Sequence, residues 1–436
     1  MTNPMKNRNL PDSLELEKID KERSQFHNFF RFPGSFHPPL VNMILSKYHN
    51  LTQIGDPMSG SGSVALEGIA MGCDVLSMDI DPLSYLITKV KSCPMDPREY
   101  EQLFEQWLEL TGPLPPKDQT SKAEAKRLLH EVETTTCYSW PPNPFHWFET
   151  HVIASLARLL LALHDLGHMK DGFRGALEAT FAAVIRRVSR ADPQPVSGLE
   201  VTKIMKKRLK KGIEFDVIGK LRERSMILAK GYRHLLSLDS IGISRVAQGD
   251  VRSDWSDYCR KCNYEPDLII TSPPYCNAIE YWRRHRLEYF WLGLLNREEI
   301  LRNSRKFIGS TTIFQDDLRD LEKPKLQSIR LVIKKIGAKR KIRKARLLQK
   351  YFLDTEKWTS SVLSTLSPNG IACVIVGPSK SYGVDINTPK FVIDIIRMQG
   401  YNVEMFLEYS LKNQRMQYPT RNGAKIKTET VIVVSK

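Results

Sequence analysis

The chain has 436 residues, 41% of them hydrophobic, enough to build a core for one large or two medium domains. Sixty-five lysines and arginines against 49 aspartates and glutamates leave a formal charge of +16 at pH 7, which points to a polyanionic partner. No apolar run is long enough to span a bilayer, the opening residues lack a signal-peptide stretch, and the seven scattered cysteines suit reduced thiols, so the expectation is a cytoplasmic protein with no membrane attachment.

The first strand is predicted over 52–57, and "MSGSGSVALEGIAMG" (58–72) follows it, opening a helix over 63–71. Gly60 and Gly62 let the backbone turn sharply and approach a ligand where a Cβ would collide. With Ala65 they match G-x-G-x-x-A, a fingerprint that is weak by itself. A second strand over 74–81 carries Asp79 near its end, a carboxylate suited to accept both hydroxyls of an adenosine ribose. That role serves NAD and S-adenosylmethionine (SAM) equally well. Asp81 is expected to cap the helix over 82–91, because Pro82 stands at its first position.

A long interruption then separates the second strand from the third. Helices are predicted at 151–167 and 175–190, behind a proline-rich elbow over 139–148, and "KIMKKRLKKG" (203–212) forms one basic cluster. The third strand (244–250) ends on Asp250, at the same sheet edge, where an acid can accept a hydrogen bond from an adenine amino group. The fourth (267–272) is a short apolar run that stops at Ser272-Pro273-Pro274-Tyr275. Residues 323–350 hold twelve lysines and arginines and no acid, the stronger candidate for a polyanion footprint. Strands at 370–377, 402–411 and 428–435 and a helix at 389–399 complete the chain. Alternating strands and helices, several strands near-continuous in apolar residues, predict a doubly wound α/β sheet covered on both faces.

The Ser-Pro-Pro-Tyr corner suggests the chemistry. Two prolines remove two donors and fix two φ angles, so neither ladder nor helix continues through them. An exocyclic amino group is a poor nucleophile, since its lone pair is delocalised into the ring. Two acceptors aimed at its N–H bonds draw the nitrogen toward tetrahedral geometry; Ser272 Oγ and the Pro273 carbonyl are candidates, with Tyr275 stacking on the base. An NAD enzyme would have no task for this corner. Cys276 is read as a bystander, because thiolate attack on a ring carbon would not need it. Cys259 and Cys262 form a single C-x-x-C with no second pair nearby, so no metal is expected. "RRHR" (283–286) is assigned either to phosphate contact or to capping the next helix.

With "FPGSFHPPLV" (32–41), "DPMSGSG" and "TSPPY", the chain resembles the SAM-dependent amino-methyltransferases of DNA, and Ser-Pro-Pro-Tyr is typical of their cytosine-N4 members. The motif order is similar to one of the permuted arrangements in these families, and the resemblance covers 32–92, 244–292 and 351–436. It implies a seven-stranded Rossmann-like sheet with a large helical insertion and a basic insertion. The implied division is 1–98 (SAM loop), 99–240 (helical insertion, target recognition), 241–294 (catalytic part), 295–350 (basic insertion, DNA contact) and 351–436 (the remainder of the sheet). SAM would be bound by Ser35, Phe36, Asp56, Pro57, Ser59, Gly60, Gly62, Asp79 and Asp250, and the target base by Ser272, Pro273, Pro274 and Tyr275. Met58, where an aromatic is usual, and Gly55, where a larger apolar residue is usual, depart from the pattern. The implied partners are double-stranded DNA and a cognate restriction endonuclease or defence-system subunits. Two alternatives stay open: an adenine-N6 or RNA amino-methyltransferase, and a DNA-binding regulator that keeps the SAM pocket without turnover.

Overall fold

A computed structural model describes residues 21–436 except 33, 35, 137–142, 168, 170, 193–198, 277–279, 313, 315, 319–320, 382 and 411–427. Seven strands form the main sheet: β1 Gln53–Asp56, β2 Asp74–Asp79, β3 Ser244–Gln248, β4 Leu268–Thr271, β5 Ile371–Val376, β6 Asn402–Ser410 and β7 Thr428–Ser435. Their order is β3-β2-β1-β4-β5-β7-β6. The first five are parallel, and β7 runs antiparallel between β5 and β6. Each strand falls within the range predicted for it. Leu268, Ile269, Ile270 and Val374 are fully buried, as a sheet covered on both faces requires.

Local chemistry explains the turns. Asp81 accepts the Leu83 N–H at 2.9 Å and Pro82 occupies the first position of helix Pro82–Ser92, the cap expected from the sequence. Gly55 has a packing reason: a Cβ there would lie 3.0 Å from Ile269 Cγ1 and 3.2 Å from the Trp255 ring, which already fills the space.

Helices Pro97–Thr111, Lys122–Thr136, Thr150–Asp165, Asp171–Ile185, Lys203–Lys210 and Val217–Leu236 build the helical insertion. Its buried side chains share one apolar cluster with β1, β4 and the helices that follow β1 and β2, so it buttresses one face of the sheet. Two polar tips inside it are satisfied. Tyr232 Oη donates to the Val90 carbonyl at 2.9 Å, and Trp107 Nε1 donates to the Leu159 carbonyl at 2.7 Å.

The opposite face is covered by helices Trp255–Lys261, Gln327–Ala338, Ile342–Leu363 and Thr388–Met398. The acid-free basic run therefore spans two helices, and Ile342–Leu363 continues unbroken across position 350. Ile329, Ile336, Ala345 and Leu348 form its buried stripe, while Lys334, Lys335, Arg340 and their neighbours face solvent. No described helix is long and apolar enough to cross a membrane.

Candidate active site

In this sheet the chain order reverses between β1 and β4, and ligands of such folds bind where the carboxyl ends of the strands flank that point. A cleft of about 820 Å³, counted to its open mouth, lies there. Phe36, Asp56, Pro57, Met58, Ser59, Gly60, Asp79, Asp250, Ser272 and Pro274 all line it, so most residues singled out in the sequence converge. Gly62 stands just behind the lining, where a Cβ would meet Thr88 Cα at 3.0 Å. Ser35 lies outside the described residues.

The glycine loop is held from several sides. Gly60 and Gly62 adopt φ of +52° and +71°, a region that side chains rarely tolerate. The Ser59 N–H donates to the Met78 carbonyl at 2.9 Å, which ties the loop to β2. Beneath it Lys91, fully buried, donates from Nζ to the Ser61 carbonyl at 2.6 Å. Burial holds this amine down to about 7. The sequence carries no local signal for that contact, since Lys91 reads as an ordinary residue of an amphipathic helix.

Asp79 accepts the Gly60 N–H on Oδ2 at 2.7 Å and the Asp81 N–H on Oδ1 at 2.9 Å. One lone-pair site per oxygen remains for further donors. Burial, with the neighbouring Asp81 charge, raises this carboxyl to about 7. Asp56 is more enclosed, 2% exposed, and burial followed by repulsion from Asp79 raises its carboxyl well above the usual range.

Asp250 is clamped by Arg252. Its Oδ1 accepts the Arg252 backbone N–H (3.0 Å) and Nε (2.9 Å), and its Oδ2 accepts Nη2 (2.6 Å). Burial would raise the carboxyl, but the guanidinium outweighs it and holds it below the ordinary value. One acceptor site on Oδ2 stays open. The same guanidinium reaches Asp354 Oδ1 at 2.8 Å and the Lys306 carbonyl at 2.6 Å. Arg252 thereby joins the cleft-lining segment Lys306–Ile308 to the long helix that carries part of the basic run.

At the corner after β4, the Pro274 carbonyl accepts the Tyr351 hydroxyl at 3.2 Å and the Cys276 carbonyl accepts Ser379 Oγ at 3.1 Å. Ser272 Oγ and the Pro273 carbonyl accept no hydrogen bond among the described residues. Pro273 and Tyr275 are not among the residues lining the cleft, and the Tyr275 hydroxyl donates to Glu429 Oε1 on β7 at 2.6 Å. The aromatic wall of the cleft comes from elsewhere: Phe32 stacks on Tyr281 with centroids 5.7 Å apart and planes 27° apart.

Cys276 is 4% exposed and burial pushes its thiol up to about 12, which disfavours a thiolate. In the "RRHR" stretch, His285 Nδ1 lies 2.7 Å from Asp81 Oδ2 and both are buried, so this pair braces the cleft wall. Among the described residues no group of three or more metal-ligating side chains gathers, around Cys259 and Cys262 or elsewhere.

No family model matches the chain. It is 21% identical over 427 residues to the type II methyltransferase M.MvaI of Kocuria varians, covering 94% of this chain and 89% of that protein. It is 24% identical over 418 residues to M.AvaI of Nostoc sp., covering 89% and 82%. Its curated relatives are type II methyltransferases. They imply SAM as the methyl donor. A solved rRNA methyltransferase from Streptomyces viridochromogenes aligns along 96% of this chain and 94% of that one, with 10% identity and a TM-score of 0.34, too low to bear on the argument.

The cleft fits that cofactor on its own chemistry. It offers the two open lone-pair sites of Asp79 for a sugar diol, a glycine loop that admits close backbone approach, and the apolar side chains Ile80, Val251 and Ile308 for a purine.

Proposed function

We propose that the protein is a SAM-dependent DNA methyltransferase of a restriction–modification system, and that it acts on an exocyclic amino group, by preference N4 of cytosine. One observation carries the reading. At the rim of a cleft suited to SAM, a corner stiffened by two prolines leaves Ser272 Oγ and the Pro273 carbonyl open while the next carbonyls are bonded.

In this reading Asp79 accepts the ribose hydroxyls, Asp250 accepts the adenine amino group through its open site, and Ser59–Gly60 let the methionine end pass close to the backbone. Phe36 and Pro57 close over it, and Gly62 keeps the turn. Asp56 lies under the loop and shapes the field there. The bound cofactor supplies an electrophilic methyl group. Ser272 Oγ and the Pro273 carbonyl accept the two N–H bonds of the target amino group, so its lone pair is released toward that methyl. Tyr275, its hydroxyl tied to Glu429, keeps its ring beside the corner as a stacking surface for the base. A base in a duplex reaches this corner only by leaving the stack.

Double-stranded DNA is the proposed substrate, gripped in part by the basic helices of 295–350 and read by the helical insertion of 99–240, with a cognate endonuclease or defence-system subunits as protein partners. The basic excess and the relatives' type II class support this. Purified protein, labelled SAM and duplex DNA should yield labelled N4-methylcytosine after nucleoside hydrolysis. Label only in N6-methyladenine or only in RNA would overturn the target assignment; SAM binding without transfer would favour the regulator.

A further inference from the structure

A second cavity, away from the cleft, is lined by Gln25, Asn28, Arg31, Arg187, Arg224 and Ile227. Three guanidiniums from distant parts of the chain meet there. Arg224, on helix Val217–Leu236, is 5% exposed, and its Nη1 donates to the Asn28 and Phe29 carbonyls at 3.1 and 3.3 Å. Its Nε is buried without a partner. Arg187 is half-buried, and its guanidinium makes no hydrogen bond or ion pair among the described residues. Burial and the charge of Arg224, with a smaller push from Arg31, disfavour its charged form more than Glu223 favours it. Glu223 pairs with Arg224 but also with Lys220 at 2.8 Å, so this acid is shared and does not pair with Arg187.

Crowding like charges around a buried, unpaired donor is costly unless an anion completes the site. Guanidinium forks match the oxygens of phosphate. The cavity is linked to the cleft wall through neighbouring residues. Arg31 directly precedes Phe32, and Arg186, next to Arg187, donates from Nη1 to the Arg284 carbonyl at 3.3 Å, in the segment that carries Tyr281.

We propose that Arg31, Arg187 and Arg224 form a phosphate-binding pocket, filled in the working complex by a backbone phosphate of the substrate DNA. The identity of that occupant rests on the DNA reading above; the pocket's taste for phosphate does not.

Arg187→Gln and Arg31→Gln test it, since Arg224 also holds the N-terminal segment and would confound folding. Two arms are read on the full-length protein: duplex DNA affinity against salt, and the shift in melting temperature with inorganic phosphate at constant ionic strength. The expected result is a roughly tenfold loss of DNA affinity and a log–log salt slope shallower by about one for either variant, with SAM affinity kept. Phosphate should raise the melting temperature of the wild type and not of Arg187→Gln. A phosphate shift lost in the variant while DNA affinity stays equal would overturn DNA as the occupant. No change in either arm would overturn the pocket. If wild-type protein binds SAM but shows no salt-dependent DNA binding, the DNA reading has failed, and the phosphate arm still decides the pocket.

Discussion

Replacing Asp79 by asparagine tests the cofactor site most directly. The carboxylate now serves two backbone donors, Gly60 N–H at 2.7 Å and Asp81 N–H at 2.9 Å, and keeps one acceptor site per oxygen for a ribose. Asparagine retains one carbonyl and turns the other oxygen into a donor, so one backbone N–H faces an N–H and one ribose hydroxyl loses its acceptor. The loop bond is lost with or without ligand and shows in the melting temperature. The ribose bond is lost only in the complex. A hydrogen bond to a charged group is worth about 1.5–3 kcal/mol, which is a SAM Kd raised about 10- to 150-fold at pH 8. Because Asp79 titrates near pH 7, wild-type affinity should fall about tenfold from pH 8 to pH 6, while the variant stays flat. The stability term has its own sign. A carboxyl raised by burial stabilises the empty fold below about pH 4, and that contribution is lost as pH rises through about 7. The variant's melting temperature should therefore fall less between pH 5 and 8. Calorimetric titration of SAM at several pH values is the assay. A variant Kd within threefold of wild type at pH 8, or equal pH slopes, would refute the assignment of Asp79.

Three other substitutions follow from the same geometry. Ser272→Ala removes one open acceptor, so single-turnover methyl transfer should slow by about a hundredfold with SAM Kd changed less than threefold; a matching loss of SAM binding would mean the corner belongs to the cofactor site. Arg252→Met leaves Asp250 without its cation and Asp354 with Lys350 alone; breaking such a partly buried pair should cost about 3 kcal/mol in denaturant unfolding and raise the SAM Kd, and an unchanged unfolding curve would show that the clamp does not brace the cleft. Cys276→Ala should keep at least half the activity, since a thiol held near 12 is no nucleophile at neutral pH; inactivation of a folded variant would reopen the thiolate reading.

Much of the site was legible because its parts are local. Two glycines flanking Ser61 declare a tight loop, which the structure realises with φ of +52° and +71°, and two prolines after "DLIITS" declare a rigid corner. Both follow strands of the parallel sheet, and the strand ends bring them together. Other features joined residues too far apart for any pattern. The arginine pocket draws on positions 31, 187 and 224, and the Tyr275 hydroxyl ends on Glu429. The basic run was read for its charge, yet Ile329, Ile336, Ala345 and Leu348 make it two amphipathic helices that cover a sheet face.

The sequence by itself determined the elements: where strands start and stop, which loop needs glycine, which corner cannot move. Backbone sterics and hydrophobic periodicity act within a few residues, so they can be read along the chain. Only the tertiary structure decided which polar groups are spent and which stay open. Asp250 has three of its acceptor sites taken by Arg252, Asp79 keeps two, and Ser272 Oγ keeps its own. That distinction depends on which distant donors packing brings within about 3 Å, and it separates a residue that braces the site from one that can hold a substrate.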